Sequence, residues 1–512
     1  MSDEKIILPP MDEYNRELLS RVHPLDRVDP RPAGSYDLVV VGAGTAGLVV
    51  AAGAAGLDIG LKVALVEKSL MGGDCLNFGC VPSKCVIRSS RILGELQKAK
   101  ALGIEIPESI PVDFPKVMAR MRKVRADISY HDSVERFQKL GIDVFLGSAR
   151  FLGDNEVEVN GQTLRYRKAV IATGARAARP AIPGLETAGF HTNETIFSLT
   201  ELPGRLAVIG GGPIGCELAQ ALGRLGSRVI LFHKHAHLLD KEDPAAAEII
   251  QNAFIREGIQ VILASGVQRV EKTAGGKVIH YTRDGRAESI VVDEILVGAG
   301  RVPNVEGLNL EAVGVKYDAR AGVIVNDYLQ TTNPKIYAAG DICTRWKFTH
   351  AADAAARIVL KNLFFSPFGL GRSKLGDLVM PRVTYTDPEI ASVGLDEGEA
   401  RARGIEVSTL EIPLSSVDRA MTDGETEGFV KILHRKGSDR LLGATIVSSH
   451  AGETISEITE AIVHKIGLNG LSSVIHPYPT QAEGIKKAAD AYRRSLLTDN
   501  TKRLLKFLSR LP

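Results

Sequence analysis

A strand that runs directly into a glycine-rich loop and on into a helix occurs twice in this chain, and that recurrence restricts the available folds more than any other feature. Tyr36-Asp37-Leu38-Val39-Val40-Val41 reads as a buried strand ending at Gly42, Gly44 to Gly56 as a small-residue helix, and Lys62 to Val66 as the next strand. The pattern returns 168 positions later, counted from Gly42 to Gly210. Arg205 to Ile209 leads into Gly210, a helix is expected from Ile214 to Leu225, and Arg228 to Phe232 forms the following strand. Two such units predict two Rossmann-like dinucleotide-binding domains of the α/β class. From Val383 onward no such loop occurs. Strands at Gly428–Leu433 and Leu441–Ser448 alternate with a helix at Glu453–Lys465, which predicts a third, α+β domain.

The first loop, Gly42-Ala43-Gly44-Thr45-Ala46-Gly47, fits G-x-G-x-x-G between strand and helix. Gly42 permits the tight turn, Gly44 the approach of backbone N–H groups to a pyrophosphate, and Gly47 close packing of helix on strand. The helix N-terminus adds partial positive charge for phosphates. Glu67, twenty residues past Gly47, places a carboxylate at the end of the second strand, suited to ribose hydroxyls. The second loop, Gly210-Gly211-Gly212-Pro213-Ile214-Gly215, has His233 and then Lys234 and His235 in the matching place. Basic groups there suit a 2′-phosphate, so the nucleotide at this loop is read as NADPH rather than NADH.

The 512 residues suggest roughly three domains at about 150 residues each. With 63 Lys+Arg against 61 Asp+Glu, the net charge of +2 argues against nucleic-acid binding. No apolar run reaches the ~18 residues of a membrane span, and the N-terminal stretch lacks the pattern of a Sec signal, so a cytoplasmic protein is expected. Residues 1–34 read as an arm broken by prolines, in which only Glu13 to Val22 suits a helix. Near the C-terminus, Thr501 to Arg510 is basic and amphipathic. It is read as a helix docking by its Leu and Phe face, in preference to contact with an anionic membrane.

Five cysteines are too few for a disulfide scaffold, yet Cys75, Cys80 and Cys85 fall in one short segment. Residues five apart on a regular helix have Cα atoms about 8–9 Å apart, whereas a disulfide needs less than about 7 Å. A Cys75–Cys80 bridge therefore requires a distorted turn, which Gly79 permits. A metal pair and a buried structural pair are the alternatives, although no second ligand pair follows at zinc spacing and no metal site is expected. Cys216 and Cys343 read as small buried residues.

The segment Gly72-Gly73-Asp74-Cys75-Leu76-Asn77-Phe78-Gly79-Cys80-Val81-Pro82-Ser83-Lys84 resembles the signature of the flavin disulfide reductases, the pyridine nucleotide-disulfide oxidoreductase family. The resemblance extends over about residues 35–490. Ala172-Thr173-Gly174 resembles the return to the flavin domain, and Gly298-Ala299-Gly300-Arg301-Val302-Pro303-Asn304 the exit from the nicotinamide domain. Ile336 to Asp341 resembles the second flavin motif, with Asp341 on the ribityl chain. The resemblance implies FAD at the first loop, with Gly73 and Asp74 beside it, and NADPH at the second. It implies a redox-active Cys75–Cys80 disulfide in which Cys80 faces the flavin and Cys75 the substrate. Lys84 would pair with Glu217 near the flavin, and the helix opening at Thr349-His350-Ala351 would point at its pyrimidine end.

It also implies a homodimer whose C-terminal domain serves dimerisation. The expected division is 1–34 arm, 35–185 and 298–375 FAD domain, 186–297 NAD(P) domain, 376–495 dimerisation domain and 496–512 tail. Family members usually carry His followed five residues later by Glu, supplied by the partner subunit. Here Glu483 counts back to Tyr478, with His476 two residues earlier, which is similar to mercuric reductases. No cysteine follows Cys343, however, and residues 1–34 contain none, so the parts that relay mercury are not expected. The acceptor is read as a small disulfide or a soft metal ion. A lipoamide-type dehydrogenase and a flavin-binding sensor without turnover are the competing readings.

Overall fold

The computed structural model describes residues 6, 8–107, 110–153 and 155–511. Both glycine-loop units form parallel sheets. In the first, strands run in the order Ile142–Leu146, Val63–Glu67, Tyr36–Val41 and Gln162–Ile171, and Ile336–Ala338 also pairs with the last of these. Register places Val39 beside Ala64 and Ala169. Leu38, Val39, Val40 and Leu65 have no exposure at all, as expected of strands covered on both faces. The second sheet runs Gln260–Ile262, Arg228–Phe232, Arg205–Ile209, Glu294–Val297, again parallel. In both sheets the loop leaves the C-terminal end of a central strand, where such folds bind ligands.

Elements outside the repeating pattern extend this frame. An antiparallel pair, Arg150–Gly153 and Glu156–Val159, continues the first sheet, and a three-stranded antiparallel sheet spans Val267–Val292. The C-terminal region is a five-stranded antiparallel sheet, Arg382–Thr384, Glu389–Gly394, Leu441–Ser448, Phe429–Arg435, Val407–Pro413. Helices Ala451–Val463 and Glu483–Ser495 pack on it through Ile455, Ile458, Ile485 and Ala489.

The N-terminal helix Glu13–Val22 is built into the first core, with Leu18 and Val22 wholly buried. The buried Arg125 donates from Nη2 to Asn15 Oδ1 (2.6 Å) and from Nη1 to the carbonyl of Asn77 (2.7 Å), which ties the arm to the segment between Cys75 and Cys80. At the other end, Asp499–Leu508 is helical as expected but buries none of its residues. Within its own chain its Leu and Phe face is therefore uncovered. No helix among the described residues is long and apolar enough to cross a membrane.

Candidate active site

One cavity of about 2770 Å³ is walled by both glycine loops and by the cysteine segment. Close approach explains the glycines. A Cβ on Gly42 (φ +103°) would stand 2.4 Å from the Ala172 carbonyl oxygen, and one on Gly47 would stand 1.8 Å from the Gly42 oxygen. The second loop repeats this: a Cβ on Gly210 (φ +119°) would meet Gly298 O at 2.5 Å, and one on Gly215 would meet Gly210 O at 1.9 Å. Gly47 and Gly215 thus set helix against strand without lining the cavity, whereas Gly42, Gly44, Gly210 and Gly212 line it. Gly73 (φ +57°) packs against Gly44, where a Cβ would come within 2.6 Å of the Gly44 Cα. Thr173, Gly174 and Gly300 complete this wall.

Glu67 closes the first loop from below. Its Oε2 accepts from Ala43 N at 2.6 Å and its Oε1 from Ser69 N at 2.8 Å. Burial pushes its pKa up against those two bonds. His233 takes the equivalent place in the second loop, its Nδ1 accepting from Gly211 N at 3.0 Å. It is buried, and burial lowers its pKa. The expectation of a basic, phosphate-facing His233 is therefore corrected: the ring is a neutral support for the loop, and Lys234 and His235 are the exposed basic groups on the cavity wall. Sequence spacing also missed Asp240, which the following loop returns to within 3.5 Å of His233 Nε2 and 3.9 Å of His235 Nε2.

The helix carrying Cys75 (Gly73–Asn77) stops at Phe78, and a second helix begins at Cys80. Gly79 makes the break, since a Cβ there would stand 2.9 Å from the Asp74 carbonyl oxygen. This is the distorted turn that the spacing requires. The turn brings the two thiols together, with Cys75 within hydrogen-bonding reach of Cys80. Cys80 Sγ lies 3.2 Å from Thr349 Oγ1. The hydrogen bond from Cys75 lowers the Cys80 pKa to about 6, helped by Thr349 and the Lys84 ammonium and opposed by burial. The same bond, with burial, holds Cys75 far above the usual thiol range. The pair shares one proton above about pH 6.

Lys84 Nζ is 2.7 Å from Glu217 Oε2 and 4.3 Å above the Tyr385 ring. Burial lowers its pKa, but the attraction of Glu217 outweighs that and leaves it raised. Glu217 Oε1 in turn accepts from Tyr385 N at 3.0 Å. Thr349 opens the helix Thr349–Phe364, whose first turn lacks a side-chain cap and faces the cavity; Ala351 is buried behind it and does not line the wall. Arg301 received no role from the sequence, yet it lies 3.1 Å from Asp74 Oδ2 and 3.4 Å from Asp341 Oδ2, joining the two flavin motifs. Burial raises the Asp341 pKa, with Arg301 and Lys347 opposing.

His476, Tyr478 and Glu483 do not line this cavity in their own chain. His476 Nε2 meets Glu457 Oε1 at 2.8 Å, and the Tyr478 hydroxyl, on an exposed ring, donates to Asp418 Oδ2 at 3.0 Å. Glu483 pairs with Lys487 at 3.3 Å. Among the described residues no cluster of three or more His, Cys, Asp or Glu is arranged to hold a metal ion.

Two dinucleotide cradles opening on one dithiol define a nucleotide-dependent disulfide oxidoreductase. The chain belongs to the pyridine nucleotide-disulphide oxidoreductase family, matching it over residues 36–356 and matching its dimerisation domain over residues 380–489. That domain indicates a homodimer, and the family is FAD-dependent and uses a pyridine nucleotide. The chain is 36% identical over 462 residues to a mercuric reductase of Staphylococcus aureus, covering 90% of this chain and 83% of the relative. It is 34% identical over 476 residues to a dihydrolipoyl dehydrogenase of Thermus scotoductus, covering 90% and 98%. Among solved structures, the Cu(II) complex of the HOCl-induced flavoprotein disulfide reductase RclA of Escherichia coli superposes with a TM-score of 0.79 at 26% identity, covering 90% of this chain and all of that one. The residues here fit FAD: the close-packed glycines of the first loop let backbone form the cavity wall, and the carboxylates of Glu67 and Asp341 line the same cavity.

Proposed function

We propose that the chain is an NADPH oxidoreductase that delivers electrons through FAD to the Cys75/Cys80 pair, and from there to a small disulfide or a soft metal ion. The observation that carries this reading is the placement of Cys75 and Cys80 on the wall of one cavity shared by both nucleotide loops, with Thr349 and the Lys84–Glu217 pair beside Cys80. Gly42, Gly44, Glu67, Gly73, Asp74, Thr173, Gly174, Asp341 and the N-terminus of the Thr349 helix would hold FAD. Gly210, Gly212, Gly300, Lys234 and His235 would hold NADPH, with His233 supporting the loop. Bound FAD supplies the two-electron relay between nicotinamide and thiols.

The residues then divide the work. Cys75 gives up its proton and attacks one sulfur of the acceptor disulfide, forming a mixed disulfide and releasing the first thiol. The Cys80 thiolate attacks Cys75 Sγ and expels the second thiolate, which takes a proton from water, leaving the Cys75–Cys80 disulfide. Two electrons from NADPH restore the dithiol. Lys84, held by Glu217, keeps positive charge beside Cys80, and Thr349 donates to its sulfur. Tyr478 has an ordinary pKa near 10, and its bond to Asp418 raises it further, so it exchanges protons poorly at neutral pH. This favours small acceptors and soft ions over disulfides that rely on a histidine base.

The test is steady-state NADPH oxidation with Hg(II), Cu(II), glutathione disulfide and lipoamide, each with wild type and Cys75→Ser. The reading expects oxidation with at least one acceptor that disappears in the variant. Turnover with lipoamide alone assigns the lipoamide-type alternative, and no Cys75-dependent turnover with any acceptor defeats the reading.

A further inference from the structure

We propose that the C-terminal helix Asp499–Leu508 attaches the protein to an anionic membrane surface. The helix is well specified locally. The Thr498 hydroxyl accepts from Thr501 N as its cap, Asp499 lies in the first turn and Lys506 in the last. Yet it buries no residue, and helices of this length have marginal stability in water without a surface to pack on. Leu504, Leu505, Phe507 and Leu508 are 57%, 48%, 62% and 47% exposed, and Leu511 just beyond is 54% exposed. At 100° per residue these five occupy one arc of about 160°.

The opposite arc carries Lys502, Arg503, Lys506 and Arg510. Asp499 is the one acid of the segment and meets Lys502 at 3.4 Å. Among the described residues Arg503, Lys506 and Arg510 have no ion-pair partner. Lys502 and Arg503 project at the two margins of the apolar arc, where long stems keep cationic heads at phosphate level while the Leu and Phe side chains enter the acyl boundary. A groove on a second copy of the chain would cover the apolar arc but does not by itself call for a face of four cations and one acid. Charge therefore favours a leaflet rich in anionic phospholipid. None of the helix residues lines the cavity in its own chain, and the helix lies beyond the matched dimerisation domain, which ends at residue 489.

The experiment is co-sedimentation of the FAD-loaded full chain with vesicles of phosphatidylglycerol and phosphatidylcholine in equal parts, or of phosphatidylcholine alone. Binding to the anionic vesicles only, weakened by added salt, is expected. Each cation near the surface contributes about fivefold in partitioning, so the triple variant Lys502→Gln/Arg503→Gln/Lys506→Gln should bind about 100-fold less. Phe507→Glu should also release the protein, and both variants should keep wild-type NADPH oxidation in solution and wild-type size on gel filtration. A wild type that stays in the supernatant, or binding that neither variant reduces, overturns the proposal. So does a change in oligomeric size in Phe507→Glu, which would assign the apolar arc to a second copy.

Discussion

Replacing Cys75 by alanine tests whether Cys80 owes its acidity to its neighbour. The Cys75 hydrogen bond is the largest influence holding Cys80 at about 6, ahead of Thr349 and Lys84, while burial works in the opposite direction. A thiol at about 6 is roughly nine-tenths thiolate at pH 7, and one at the ordinary value of about 8.5 is roughly 3% thiolate. Because the folded-state value is depressed, the thiolate is present above about pH 6 and is lost as pH falls through it. In Cys75→Ala only Thr349 and Lys84 oppose burial, so the midpoint should climb by at least about one pH unit toward the ordinary range. Cys75→Ser retains an O–H donor and should lie between the two. The assay is the long-wavelength absorption of a thiolate beside an isoalloxazine, titrated in FAD-loaded variants and in reduced wild type. Alkylation rate at a single pH is a poor substitute. A less acidic thiol is scarcer as thiolate but more nucleophilic, and a Brønsted slope of about 0.4–0.5 recovers about tenfold of a roughly thirtyfold loss. Coincident titrations of wild type and Cys75→Ala would refute the reasoning, and so would a wild-type midpoint near 8.5.

Three further outcomes are expected. Lys84→Met leaves the buried Glu217 carboxylate with the Tyr385 N–H alone, for a loss on the order of 1–3 kcal/mol in chemical denaturation; the figure is kept below that of a fully buried pair because the Lys84 side chain is 37% exposed. Adding Glu217→Gln should recover part of that loss. Gly47→Ala and Gly215→Ala insert nearly identical clashes, 1.8 and 1.9 Å, into different loops. The first should lower FAD retention measured by absorbance, and the second should keep FAD but raise the KM for NADPH. Lys234→Glu should raise the KM for NADPH far more than that for NADH, and Asp240→Asn should lower the KM for NADPH.

The strands that feed the two loops were legible because Tyr36–Val41 and Arg205–Ile209 are largely apolar runs closed by Gly42 and Gly210. Arg205–Ile209, Arg228–Phe232 and Leu441–Ser448 fall where the pattern placed them. The antiparallel strands between Val267 and Val292 were not, because their burial is sparse (Val267–Thr273 buries only Val270) and a weak alternation does not stand out from a loop. Contacts remote in sequence were the other loss. Arg301 was visible as part of a motif, but its partner Asp74 is 227 positions away, and nothing local marks such a bridge. Asp240 was only seven residues past His233, yet the direction of the intervening loop decides whether an acid returns to the strand end, and that is set by packing of Leu238 and Leu239. The tail's apolar arc was legible, but what covers it was not, because periodicity reveals a face and not its partner.

The correction at His233 changes what the absence of an acid at that strand end means. In both loops the residue after the first glycine has a buried N–H that must find an acceptor. Ala43 N finds Glu67 at 2.6 Å and Gly211 N finds His233 at 3.0 Å. The carboxylate meets this demand with one oxygen and accepts from Ser69 N with the other. The imidazole meets it while neutral, and because Nδ1 accepts from the loop, its proton resides on Nε2, directed toward Asp240. Protonating Nδ1 would break the bond that holds the loop, which is why burial and loop support act together to keep His233 uncharged. The second loop therefore carries no fixed charge of its own at this point, and selection between nucleotides passes to the exposed side chains around it. On the proposed reading, Lys234 and His235 would favour a 2′-phosphate and Asp240 would oppose one, so the balance between them rather than His233 would set the preference.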